Sequence, residues 1–125
     1  MKNLTDVPVN KLAKLRMRLL PLSEKRFPIS VLHEELPKNS QTPAVFHRKT
    51  HEYAIVLKGS ATIILDGRAV KIRKGSIFDI PAGAVHQFKT GRSAVEALSI
   101  FSPPMSKKKP DVHLVHDKTL EVRLS

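Results

Sequence analysis

His47-Arg48-Lys49-Thr50-His51-Glu52-Tyr53-Ala54-Ile55-Val56-Leu57-Lys58-Gly59, followed further along by Gly75-Ser76-Ile77-Phe78-Asp79-Ile80-Pro81-Ala82-Gly83-Ala84-Val85-His86, decides how this 125-residue chain reads. The first stretch places a histidine and a carboxylate ahead of an apolar run that closes on Lys-Gly. The second ends in a Pro-Ala-Gly turn just before another histidine. The five glycines, Gly59, Gly67, Gly75, Gly83 and Gly91, recur every eight residues, each at or beside a turn signal. Turn signals at such short, regular spacing predict a closed or two-sheet β fold. A fold that brings the two stretches together turns His47, Glu52 and His86 into a two-histidine, one-carboxylate set able to hold a metal ion.

Working outward, Ala13 to Leu19 alternates apolar and basic residues and reads as a half-buried strand, with a short helix through Leu12, Leu15 and Leu19 as the rival. Ile29 to Leu36 reads as a strand ended by the turn cluster Pro37-Lys38-Asn39-Ser40. Val45 to His47 starts a strand that runs on into His51. Glu52 to Leu57 is apolar on both faces and predicts a strand buried on both sides. Ala61 to Leu65 and Ala69 to Ile72 flank Asp66-Gly67, a two-residue hairpin signal, because both turn positions need positive φ. Ile77 to Ile80 leads into Pro81-Ala82-Gly83, where Pro in second and Gly in fourth place suit a type I turn. Val85 to Lys89, Ala94 to Phe101, Val112 to Val115 and Leu120 to Leu124 complete nine or ten strands, with no long helix. The expectation is one domain over residues 1–125, with its core at about 29–104, an N-terminal arm over 1–28 and a C-terminal segment over 105–125.

Composition narrows the function. There is no cysteine, which excludes disulfides and thiolate metal sites. Charges interrupt Leu12 to Leu20, so no signal-peptide core stands at the start, and no run approaches a membrane span. A cytoplasmic location with no membrane partner is expected. The net charge is +11, spread as +5 over residues 1–30, +4 over 31–104 and +2 over 105–125. Such a balance attracts anions. Nucleic-acid binders add a motif or stacking aromatics, and here five Phe, one Tyr and no Trp accompany no such motif, so nucleic acid is not the expected partner.

At this point the chain resembles the cupin superfamily, small double-stranded β-helix (jelly-roll) barrels of the all-β class. That family's first motif runs Gly, five residues, His-any-His, three or four residues, Glu, six residues, Gly. Its second half falls on His47, Glu52 and Gly59. The second motif runs Gly, five residues, Pro-any-Gly, two residues, His, three residues, Asn, and falls on Gly75, Pro81, Gly83 and His86. Val45 stands where the family's first metal histidine would, the leading Gly is absent, and Thr90 replaces the closing Asn. The resemblance covers about residues 29 to 104.

The resemblance implies a divalent ion (Fe, Mn, Ni, Zn or Cu) held by His47, Glu52 and His86. His51, next to Glu52, is the substitute ligand; neighbours on a strand point to opposite faces, which favours Glu52. The expected function is binding of, or action on, a small anionic metabolite, a sugar or organic acid, by isomerase, dioxygenase or lyase chemistry. The alternative is a non-catalytic, metal-free ligand-binding or sensor barrel, which Val45 favours. His33, His113 and His116 read as surface or strand residues, while Tyr53, Phe46, Phe78, Phe88 and Phe101 read as core. Arg48 and Gln87 could reach a substrate, but nothing in the sequence singles them out. Ala13–Leu19 and Leu120–Leu124 are expected to pair across a homodimer.

Overall fold

A computed structural model describes residues 2–22 and 25–115. Among these, every regular element is a strand except one 3-10 turn at Leu4–Asp6. The strands are β1 (Asn10–Leu12), β2 (Leu15–Leu19), β3 (Ser30–Leu36), β4 (Val45–Phe46), β5 (His51–Leu65), β6 (Arg68–Arg73), β7 (Ile77–Ile80), β8 (His86–Lys89), β9 (Val95–Ser102) and β10 (His113–Leu114). All pair antiparallel, in the order β1-β2-β3-β9-β5-β8-β4-β10, with β6 and β7 also on β5. This is the jelly-roll barrel that the glycine spacing and the two motifs pointed to. No helix among the described residues is long and apolar enough to cross a membrane.

β5 ties the barrel together. Its first half pairs with β9 and β7, and its second half, from Ser60 onward, pairs with β6 and β8. The switch falls at Gly59, whose φ is +74°; a Cβ built there would run into the carbonyl oxygen of Ala94. Only glycine fits so close a backbone crossing. Leu65-Asp66-Gly67-Arg68 closes the predicted two-residue hairpin, with φ of +47° at Asp66 and +83° at Gly67.

Three expectations change. Ala13 takes φ +53° in the turn between β1 and β2, so the second strand begins at Leu15, and the helical rival is excluded. The turn before His86 runs one residue later than predicted. Ala84 N–H donates to Pro81 O at 3.1 Å, and Gly83, third in the turn, has φ +87°. Positive φ in third place belongs to type II geometry, not type I. Finally, β5 is buried on one face only over its first half. Ala54 and Val56 point inward, whereas Tyr53 is 59% exposed and Ile55 lies outward. Apolar character on both faces therefore misled, and Tyr53 is not core. The C-terminal pairing segment, residues 120–124, lies outside the described residues, as does His116.

Two apolar clusters fill the interior. One gathers Leu36, Val56, Ile63, Ile72 and Ile80; the other gathers Leu12, Met17, Leu32, Val45, Phe101 and Met105. The second cluster borders the candidate site.

Candidate metal centre

Three turns of chain deliver three side chains to one point. His47 follows the short β4, Glu52 is the second residue of β5, and His86 opens β8. β4 and β8 pair through Val45 and His86, and Gly83 N–H donates to His47 O, which holds the Pro81–Ala84 turn against the His47 backbone. All three side chains are buried, and one ligand atom from each lies within 4.8 Å of the others. His47 Nε2 is 3.1 Å and His86 Nε2 is 3.7 Å from the same oxygen, Glu52 Oε1. Glu52 Oε2 accepts from Ser99 Oγ at 2.9 Å.

The remaining ring nitrogens fix the tautomers. His47 Nδ1 lies 2.7 Å from Asp111 O, and His86 Nδ1 lies 3.0 Å from Ala84 O. A carbonyl oxygen only accepts, so each Nδ1 carries the proton. Both Nε2 atoms then turn toward one carboxylate oxygen, where either a proton or a cation must sit between lone pairs and negative charge. The electrostatics agree. Burial disfavours a charged His47, but the hydrogen bond and charge of Glu52, aided by Asp111, outweigh it and raise its pKa above the ordinary value. Burial prevails at His86, whose pKa is lowered despite Glu52. One imidazole is thus prepared to hold a proton and the other to stay neutral, and the donor set fits a divalent ion in the proton's place.

His51 is exposed at the start of β5, outside this trio; its Nδ1 accepts from Ala82 N–H at 3.4 Å. Val45 is buried on the same wall as His47 and His86. Thr90 stands away from the site, where its hydroxyl bonds Pro37 O and accepts from Ser40 N–H. Arg48 is exposed, and Gln87 donates to Thr42 O at 2.8 Å. His33, read as a surface or strand residue, is 3% exposed and bonds Glu96 at 2.8 Å on the outer side of the sheet.

Besides Ser99, sequence reasoning missed two residues that shape the centre. Asp111 takes the backbone N–H groups of Arg48, Lys49 and Thr50 at 2.8 to 3.0 Å and bonds His113 at 2.9 Å. Although burial acts against it, these donors hold its carboxyl well below the usual range. That grip bends residues 47–50 out of strand geometry, so β4 ends at Phe46 instead of running into His51. It also aims the Asp111 carbonyl at His47. Groups that orient a ligand imidazole typically change metal affinity about 10–100-fold on removal. Asp111→Ala should lower affinity within that range in a chelator competition, and an unchanged value would show that His47 needs no such support.

The second is Glu34, on β3. Even-numbered residues of that strand face inward, and Glu34 lines the cavity beside the trio, which accounts for its residual exposure. Burial first, and the charge of Glu52 second, push its pKa up to about 8 against a smaller pull from Ser99. The signal was present: one carboxylate in an inward row of Leu32 and Leu36.

Comparison with known proteins agrees with the motifs. The family described as "Cupin domain" matches residues 32–101. An uncharacterised protein of Aquifex aeolicus is 34% identical over 71 residues, 57% of this chain; the match spans 58% of that relative's length. The polyketide cyclase RemF of Streptomyces resistomycificus superposes with a TM-score of 0.75 at 23% identity, covering 94% of this chain and 86% of that one. A predicted oxalate decarboxylase of Thermotoga maritima gives 0.70 at 18% identity, covering 79% and 95%. At such identities the two structures speak for the fold alone, while the sequence match spans most of β3 to β9, and on it the chain belongs to the cupin family.

Proposed function

We propose that the chain, as a single cupin domain over residues 1–125, holds one divalent transition ion (Fe, Mn, Ni, Zn or Cu) through His47, Glu52 and His86. A small organic molecule binds beside that ion. The observation that supports this most is the pair of Nε2 atoms facing one buried carboxylate, with both Nδ1 atoms committed to backbone carbonyls. A bound ion would supply Lewis-acid polarisation of a ligand oxygen. The chain's own contribution is to fix both imidazoles, keep the centre away from bulk water and hold Ser99 against Glu52. Isomerase, dioxygenase and lyase chemistry all remain within this reading. Purified protein should carry about one equivalent of transition metal by elemental mass spectrometry, and the His47→Ala/His86→Ala double variant should lose it.

A metal-free binding or sensor barrel is the second reading. It draws on the fact that His47 and Ser99 already satisfy both oxygens of Glu52 without an ion. Protein that takes up no metal after reloading above neutral pH would select it.

A homodimer belongs to the same proposal, by a different surface from the one expected. β2 already pairs on both sides, with β1 and β3, so it offers no free edge. The outer face of β9, β5 and β7 instead exposes Ile100, Tyr53, Ile55 and Ile77, with Ile100 paired to Tyr53 and Ile55 to Ile77 across the strands. Beside it, Arg18 forms an ion pair with Glu35 and His33 bonds Glu96, so both carboxylates are partnered there. Sedimentation at micromolar concentration should give twice the 14.0 kDa chain mass, and Tyr53→Lys/Ile77→Lys should return it to one. A monomeric parent protein would discard the idea.

A further inference from the structure

The net charge of +11 suggests anionic ligands, but among the described residues no Lys or Arg reaches the cavity. Its wall is built by Leu12, Met17, Leu32, Val45, Phe101 and Met105, with smaller apolar contributions around them. Among the described residues, the polar groups on it are His47, Glu52, His86, Glu34 and Thr42, and no Lys or Arg lines it. The space open to the centre of a water molecule is about 50 Å³, so an occupant must be compact. Thr42 Oγ1 accepts from Phe88 N–H, which leaves its O–H as one donor at the wall.

Charge balance in such a wall is strict, since an unmatched charge in an apolar enclosure is disfavoured far more than at a surface. A divalent ion against Glu52 and two neutral imidazoles leaves one positive charge. Resting on the metal reading above, we propose that the ligand is a compact molecule with an apolar body, two oxygen donors and no more than one negative charge. A branched 2-oxo acid or an enolised dicarbonyl meets this description. A phosphorylated sugar or a dicarboxylate does not, because it brings a second negative charge, and the sugar also brings more hydroxyls than Thr42 and Glu34 can pair.

Glu34 narrows the choice further. Protonated, it adds a hydrogen-bond donor at the cavity wall. Were it ionised beside a bound ion, it would take up the one remaining positive charge and leave room only for a neutral ligand. In both cases a dianion stays unmatched.

The test uses the full chain loaded with Co(II), its metal content measured first. 3-Methyl-2-oxobutanoate, oxalate and glucose 6-phosphate are titrated in turn, followed by the visible spectrum of the ion and by calorimetry. Free Co(II) prefers oxalate to a 2-oxo monocarboxylate, so a reversed order inside the protein can come only from the cavity. The 2-oxo acid should perturb the spectrum with a Kd below about 1 mM, at least about tenfold tighter than the other two. It should not bind the His47→Ala/His86→Ala variant. Oxalate or glucose 6-phosphate binding as tightly as the 2-oxo acid would overturn the proposal, as would a silent titration of fully loaded protein. Protein that takes up no Co(II) fails at the metal analysis, which identifies the metal reading as the cause and removes this inference with it.

Discussion

Val45→His should raise the affinity for a divalent transition ion by about tenfold or more, or at least about 1.4 kcal/mol. Val45 is 8% exposed, lines the cavity with the three proposed ligands and pairs directly with His86 across β4 and β8. It lies two residues before His47, a spacing that keeps two side chains on one face of an extended segment. An imidazole there would add a fourth donor to a set of three. Without metal the same change should cost about 1–3 kcal/mol, because it puts a polar ring among Leu32, Phe101 and Met105 with no partner. The variant should therefore melt below the parent when stripped and show a wider gap between stripped and loaded forms. Chelator competition and paired thermal scans read both effects. Equal or weaker metal affinity would mean that Val45 does not occupy a ligand position.

The stripped protein should lose stability as pH rises from about 5 to 8, and Glu34→Gln should remove much of that loss. Glu34 has a folded pKa of about 8 against an ordinary 4.5. Between those values the folded chain keeps a proton that the unfolded chain has released. Its contribution is full below about 4.5 and is lost as pH climbs through the folded value. His47, with a raised pKa, acts in the same sense, while His86, with a lowered one, opposes them. Glutamine keeps a neutral polar group of the same size and does not titrate. At pH 8 the metal-free variant should melt above the parent by roughly 3–10 °C, the shift expected from 1–2 kcal/mol in a domain of this size. At pH 5 the two should coincide. Parallel curves across the range would place Glu34 in contact with water.

The sequence carried the fold because its information was local. Asp66-Gly67 dictates a hairpin by backbone conformation alone, and Gly59 can be nothing else where β5 crosses Ala94. His47, Glu52 and His86 were legible as a set because fixed spacing from strand ends and turns stands in for distance. Asp111 and Ser99 were not legible, since they reach the site from 64 and 47 positions away, through pairings no local pattern encodes. Glu34 was half legible: Ile29 to Leu36 read as a strand, which puts Glu34 on one face with Leu32 and Leu36, but only the β3–β9–β5 register brings it beside Glu52. Tyr53 and Ile55 were misread because apolar content states what a residue avoids, not which face the sheet turns to the interior.

The grip of Asp111 has a consequence for how the protein would report its own state. One residue closes the 48–50 bend with its carboxylate and fixes the His47 ring with its carbonyl. The same stretch of chain buries Met105 and pairs β10 with β4. Fraying of that tail therefore releases the imidazole, and whatever captures the imidazole pins the tail. An ion that fixes the imidazole would by the same links hold residues 105–114 against the barrel.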